Sequence, residues 1–398
     1  MRVGDGVGRA WLGSRLFLLR VSAAALLAVL LAGTPTAGRP AADAATPIRA
    51  IEQSHVNNFP ANIRFSVKAE SDRPIVKASV YYKVNEQPTT SYAAAEIKPG
   101  TRIDASYTLD LRRSYIPPGV RLRYQWRLVD QDGNVARSDW TSLTLDDLRF
   151  KWQSVTAENV TVSYYQGNAA FGEELRKAAA SAITSMSQQA GVKVDAPIRI
   201  LIYATDQDFR SAVDPGTHEW AGGSAFPRYN VILIQASGSN LAYATRTIPH
   251  ELTHVIIYNA TKNPYGSIPR WLDEGLAMLS EGEQEPGFDS ALQAAVKSDS
   301  LISVWSLSSN FPTDSRQARL SYAQSYSLVK FVIDRYGQEA MSKLLAVFRE
   351  GSTYDDALKS ALGVDTYGLD DAWRASFGLP PARSAPLAPA AGPTVAPR

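Results

Sequence analysis

The period of the hydrophobic pattern changes near residue 150, and this change limits the fold more than any other feature of the chain. Across residues 46–148, apolar and β-branched residues alternate or run in short blocks: IRFSVKAE, KASVYYKV, RIDASYTLDL, VRLRYQWRLVD and DWTSLTL. A period of two puts successive side chains on opposite faces of a sheet, so these blocks read as strands. Tyr124 and Trp126 alternate with Arg123 and Gln125, which sends the two aromatic rings toward a core. Turn residues separate the blocks at 71–74, 118–119 and 130–134. Strands at this spacing predict an all-β sandwich of immunoglobulin or fibronectin type. No cluster of binding residues stands out in it, so it reads as a structural or spacer module.

After residue 149 the pattern differs. NVTVSYYQG reads as a strand, and AAFGEELRKAAASAITSMSQQAG has helical periodicity ending at a glycine. PIRILIYA and YNVILIQAS are buried strands, and four more helical segments are expected up to about Phe377. Strands followed by helices give an α+β domain over 149–378. The last stretch, 379–398, carries six prolines in LPPARSAPLAPAAGPTVAPR and reads as an extended spacer without core residues. The first 45 residues have the layout of a secretory signal peptide: Arg2, Arg9, Arg15 and Arg20, a short apolar run VSAAALLAVLLAG, then ADA at 42–44. The mature protein is therefore expected to be secreted or extracytoplasmic without a membrane span; an uncleaved leader would leave it N-terminally anchored. The multidomain organisation is thus signal (1–45), β-sandwich (46–148), α+β domain (149–378) and tail (379–398).

The chain has no cysteine, which excludes disulfides, thiolate metal sites and a thiol nucleophile. A net charge of +2 gives no push toward nucleic acid or acidic partners. Only histidine and carboxylate remain as strong metal ligands, and there are four histidines. Two of them stand in TIPHELTHVIIYN, as His250-Glu251-x-x-His254. On a helix, with Thr247 as its cap and Pro249 in its first turn, positions four apart share one face. His250 and His254 can then aim at one ion, while Glu251, one step round, reaches a water on that ion; this spacing is the zinc-protease pattern. A catalytic zinc takes three protein ligands. IPRWLDEGLAMLSEG offers the third: Pro269 opens a helix with Trp271, Leu272, Leu276 and Leu279 at apolar positions, and Glu274 follows His254 by twenty residues. Turn residues Asn263, Pro264 and Gly266 allow two antiparallel helices to bring Glu274 opposite the histidines.

The pair HELTH and WLDEGLA resembles the gluzincin branch of zinc metallopeptidases, the thermolysin-like and peptidase-MA-like enzymes, whose pattern is H-E-x-x-H followed by W-x-x-E-G-x-A. WAGGSAFPRYNVILI is similar to the edge strand that lines the substrate cleft in that group, and YAQSYSLVKFVIDRYG (322–337) to one of its later helices. The resemblance covers roughly residues 155–350. It implies that His250, His254 and Glu274 hold Zn2+ and that Glu251 is the general base. It also implies a tyrosine or histidine that stabilises the oxyanion. Tyr322, then Tyr326, both on the later helix, are the candidates, because His55 falls in the sandwich.

Two departures stand out. Where thermolysin-like enzymes have an aspartate four residues after the glutamate ligand, this chain has Met278, which leaves Asp273 or Glu281 to orient a histidine. The Gly-Ala-Met-Glu-Asn signature of zinc aminopeptidases is absent, which favours an endopeptidase acting on polypeptides. The alternatives are a zinc amidase acting on cell-wall peptides and a non-catalytic binding or adhesion protein with a structural metal. Gly222–Ser224 lacks the lysine and spacing of a phosphate loop and reads as a turn into the edge strand.

Overall fold

The structure is a computed structural model that describes residues 48–382 apart from 86–87, 215, 217–221, 263–265 and 283–285. The signal-peptide segment, His218, Asn263, Pro264 and tail residues 383–398 lie outside the described residues. Among the described residues no helix is long and apolar enough to cross a membrane.

The first part of the chain is β-rich. It is built on β2 (Asn62–Val84), which merges two of the expected strands. The turn expected at 71–74 is instead an irregularity within β2, where register shifts between Glu70 and Ile75 against β4 (Gly100–Asp110). The slip exchanges the two faces of the strand. Ile63, Phe65, Val67 and Ala69 are buried before it, Ala78 and Val80 after it. One half of β2 pairs with β1 (Ile48–Asn58) and β4, the other with β3 (Ser91–Ala95) and β5 (Arg121–Asp130). Two short strands, β6 (Val135–Arg137) and β7 (Thr141–Thr144), pair with β5. Tyr124 and Trp126 are fully buried, as the alternation predicts.

The second part contains a five-stranded sheet in the order β11-β12-β10-β9-β8. Its strands are β8 (Gln153–Ala157), β9 (Val160–Tyr164), β10 (Ile198–Tyr203), β11 (Gly223–Phe226) and β12 (Val231–Gln235). The inner three are parallel, and the edges β8 and β11 are antiparallel to their neighbours. Helix α1 (Ala169–Ala190) links β9 to β10 and ends at Gly191 in a left-handed cap. Helix α2 (Asp206–Ala212) follows β10.

Both faces of this sheet are buried, which is why its strands read as continuous apolar runs. Ile200, Ile202, Ile232 and Ile234 face the helices. Leu201, Tyr203, Val231 and Leu233 pack with the β-rich part, alongside Phe209 and Val213. Each such side chain contributes about 1.5–3 kcal/mol relative to exposure. Asp147, on the approach to the sheet, accepts from Tyr203 Oη at 2.9 Å and from Arg149 Nη2 at 2.6 Å. The β-rich part is therefore no spacer: it covers the back of the sheet that carries the site.

After β12 the described residues hold seven helices where four were expected: α3 (Leu241–Thr261), α4 (Arg270–Ser280), α5 (Pro286–Lys297), α6 (Val304–Leu307), α7 (Ser315–Arg349), α8 (Tyr354–Leu362) and α9 (Thr366–Ser376). Elements as short as α6 complete barely one turn, too little to display a 3.6-residue period. α7 is broken at Gly337, whose φ of 84° and ψ of 167° are not helical. α3 begins earlier than expected, so Thr247 is inside it rather than capping it, and Pro249 is an interior proline. The ring removes the bond that residue 249 would donate to the carbonyl of Thr245. Burial of Ala244, Ile248, Leu252 and Val255 along one face keeps the segment helical despite that loss.

Candidate metal and catalytic site

The 3.6-residue period of α3 decides which side chains face the cleft. Leu252, Val255 and Ile256 turn to the core, and His250 and His254 turn away from it, with ring centroids 4.9 Å apart. α4 packs against α3 and delivers Glu274, whose side chain is only 1% exposed. Glu274 Oε2 lies 3.4 Å from His250 Nε2 and 3.6 Å from His254 Nε2. These three residues form the one group among the described residues with metal-holding geometry.

Three observations test whether zinc fits. Glu274 Oε2 is buried and has no hydrogen-bond partner, a costly state that a cation would relieve. The two N···O separations match the edge of a tetrahedron with bonds near 2.1 Å, about 3.4 Å. Finally, both Nδ1 atoms are occupied. His250 Nδ1 is 2.6 Å from Glu281 Oε1 and His254 Nδ1 is 3.0 Å from Asp273 Oδ1. A carboxylate on Nδ1 fixes the ring and presents the Nε2 lone pair to the shared point. Asp273 and Glu281, alternatives in the sequence, thus serve one histidine each. The residues fit the metal.

Charge in the site is closely paired. Arg270, one turn before Glu274, binds its other oxygen, Oε1, and lies 3.5 Å from Asp273 Oδ2. Arg246 Nε is 3.6 Å from Glu281 Oε2. Burial would raise the Glu274 carboxyl, but His254, His250 and Arg270 outweigh it and hold Glu274 well below the usual carboxylate range. Burial opposes charge on His250, yet Glu274 and Glu281 keep it above its ordinary value. Glu251 shifts the other way: burial pushes it up, partly offset by the two histidines and by the N–H of Ala225.

That N–H belongs to β11, the sheet-edge strand, which crosses directly over Glu251. A Cβ on Gly223 would stand 2.7 Å from Glu251 Oε1, and one on Gly222 2.1 Å from Tyr243 Oη. Only glycine lets the strand come so close. Gly222 forms a bend just before this edge strand, and Gly223 is the strand's first residue. Gly275, next to Glu274, plays the same part between helices: its Cβ would lie 2.4 Å from the carbonyl oxygen of Ser325 on α7.

Tyr322 lines the same cavity of about 560 Å3, together with Tyr243, Met278 and Phe288. Burial is the main cause that pushes its hydroxyl pKa up, so it stays protonated, and it is hydrogen-bonded to Arg270. Tyr326 is not there: one turn further along α7, it lines a separate cavity with Phe331, Trp373 and Phe377. The four-residue spacing moved it along the helix axis, past the end of the cleft. His55 is remote in the β-rich part, with Nδ1 3.3 Å from Tyr124 Oη. Sequence reasoning missed Arg270, Arg246 and Tyr243. Only Arg270 carried a readable signal, its i,i+4 placement before Glu274.

Comparison with known proteins follows the same line. No match to a curated protein was found. Among solved structures, the M1 zinc metallopeptidase of Deinococcus radiodurans is similar at 12% identity over 81% of this chain and 91% of its own, with a TM-score of 0.37. Aminopeptidase A of Legionella pneumophila is similar at 10% identity over 84% of this chain and 50% of its own, also at 0.37. An aminopeptidase N family protein of Idiomarina loihiensis gives 12%, 76%, 69% and 0.36. At these scores the likenesses carry no residue roles. The family profile for the Peptidase MA superfamily, in contrast, matches residues 178–378, half of the chain, and spans both helices that meet at the cleft. This chain belongs to the Peptidase MA superfamily, as a zinc metallopeptidase.

Proposed function

We propose that the protein is an exported endopeptidase in which His250, His254 and Glu274 hold Zn2+ and Glu251 is the general base. The observation that carries the reading is the convergence of two carboxylate-oriented Nε2 atoms on the orphaned Oε2 of Glu274. Bound zinc supplies a Lewis acid that lowers the pKa of a water and polarises a carbonyl. Glu251, raised by burial and steadied by the Ala225 N–H, takes the proton from the attacking water. It then returns that proton to the leaving amine. Tyr322 accepts from Arg270 and keeps its own hydrogen free to donate to the oxyanion.

Support for internal cleavage comes from the carboxylates around the cavity. Besides Glu251 and Glu274, those lining it among the described residues are Asp273 and Glu281, and each is held by a histidine and an arginine. None is free to grip a substrate amino group. Edge strand β11 offers main-chain groups to an extended polypeptide, which fits recognition by strand addition. The leader pattern at 1–45 and the proline-rich end at 379–398 fit work outside the cytoplasm. The β-rich part from 46 to 148 fits an immunoglobulin-type sandwich that braces the catalytic sheet rather than binding substrate.

The test is cleavage of a peptide library, half of it N-acetylated, by the parent and by Glu251→Gln. Internal cuts in both halves by the parent alone are expected. Cuts confined to free amino termini would make the protein an aminopeptidase. No cuts by either form, in library or in cell-wall peptides, would favour a binding protein.

A further inference from the structure

The net charge of +2 conceals a one-sided distribution. In β5 the even positions are buried, and in the second half of β2 Ala78 and Val80 are buried with Tyr82 and Val84 packed partly buried against the same core, so odd positions face outward together. The strand registers set them in rows: Ser79 beside Arg127 and Arg137, Tyr81 between Tyr92 and Gln125, Lys83 beside Arg123 and Ser142, and Arg121 beside Thr144. With Lys77 this outer face carries six cations, and no outward position on residues 77–84 of β2 or on β3, β5, β6 and β7 is acidic. Among the described residues none of the six forms an ion pair. The other half of the same sheet behaves differently: there Lys68 pairs with Asp104 at 3.7 Å and Arg102 with Glu70 at 3.1 Å.

Six like charges on one face repel one another, a cost that an anionic partner would reverse. The arrangement limits what that partner is. Along β5, outward residues recur about every 6.7 Å, so Arg121, Arg123, Gln125 and Arg127 make a track of roughly 20 Å for a linear chain. Ser79, Gln125, Ser142 and Thr144 set hydroxyl and amide groups between the cations. Ring faces for base stacking are scarce. Trp140 is covered by Lys83 Nζ at 5.9 Å and Arg123 Cζ at 5.6 Å, and Tyr81 stacks on Tyr92 at 5.6 Å. Tyr92, 69% exposed, leaves one ring face open, suited to packing against a sugar. Single-stranded nucleic acid needs several such free faces.

We propose that the outer face of β3, β2, β5, β6 and β7 binds an acidic polysaccharide, holding the peptidase on an anionic glycan. The binding does not involve the metal site and stands whether or not the peptidase reading does.

The test measures binding of the full chain to polygalacturonate, with neutral dextran, DNA and phosphatidylserine vesicles as comparison probes, across a salt series. The parent is expected to bind polygalacturonate and not dextran, with affinity falling as salt rises. Arg123→Ser with Arg127→Ser should weaken binding by about fivefold to thirtyfold. Lys68→Ser with Arg102→Ser removes the same charge from the paired half and should leave binding within about twofold of the parent. Unchanged thermal unfolding would show that both double variants are folded. Equal loss in the two would overturn the proposal, since net charge alone would then act. So would tighter binding to DNA or vesicles than to polygalacturonate, or no binding at all.

Discussion

Gly275→Ala sets two effects against each other at the point where α4 meets α7. In a helix interior, alanine is better than glycine by about 1 kcal/mol. The new methyl, however, would stand 2.4 Å from Ser325 O, 2.5 Å from Val329 Cγ2 and 2.9 Å from the Ser325 carbonyl carbon. Two of these are backbone atoms and cannot rotate away. Restoring ordinary contact requires α4 to retreat by roughly 1 Å, and overpacking of this kind costs about 1–3 kcal/mol. The net effect on folding is a loss of about 0–2 kcal/mol, or a few degrees in Tm. The effect on the site is larger. Glu274 is the next residue, and its 3.4 and 3.6 Å separations from the two Nε2 atoms leave no slack at that scale. Zinc affinity should fall by at least about tenfold, measured by competition with a chromogenic chelator. A variant that is about 1 kcal/mol more stable and keeps parental zinc affinity would refute the reasoning, because helix propensity would then have won.

Other perturbations separate the remaining parts of the site. Asp273→Ala, which leaves His254 Nδ1 without its carboxylate, should weaken zinc binding by about 10- to 100-fold in the same chelator assay, and Glu281→Ala should do likewise through His250. Gly223→Ala pushes a methyl onto Glu251 Oε1, so kcat should drop by about 100-fold while zinc content, read by atomic emission, stays at the parental level. Stability should respond to pH at Asp370, which burial raises from its ordinary value of 3.8 to about 6 and whose Oδ1 has no partner. A raised folded-state pKa gives stability that is full below about pH 4 and is lost as pH rises through about 6. Asp370→Asn should therefore stabilise the protein by on the order of 1–3 kcal/mol at pH 7.5 and hardly at all at pH 3.5, as read by thermal unfolding at the two pH values.

The site was legible because its chemistry is written at short range. Four residues put His250 and His254 on one helical face, and one step round puts Glu251 beside them, whatever surrounds the helix. The E-G pair after the tryptophan was legible as well, although the reason for Gly275 lies on α7, fifty residues downstream. What could not be read depends on contacts between distant segments. Asp273 and Glu281 were equal candidates until packing gave each a histidine. Tyr326 separated from Tyr322 only when the helix axis was placed against the cleft. In the β-rich part, SDRP looked like a turn because serine, aspartate and proline disfavour regular strands. There the chain stays extended, with the carbonyl of Pro74 accepting from Gln131 N at 2.9 Å. Strands β1, β3 and β8 gave too little alternation to single out. The basic face escaped notice because its cations are scattered along the sequence and only strand pairing gathers them.

The central claim is that one zinc ion on His250, His254 and Glu274 serves a hydrolysis that passes its proton through Glu251. The most direct measurement determines zinc per chain and casein hydrolysis together, for the parent, His250→Ala with Glu274→Ala, and Glu251→Gln. One zinc per chain is predicted for the parent and for Glu251→Gln and none for the double variant, with hydrolysis in the parent alone. Zinc retained by the double variant, or casein cleaved by Glu251→Gln at the parental rate, would contradict the account.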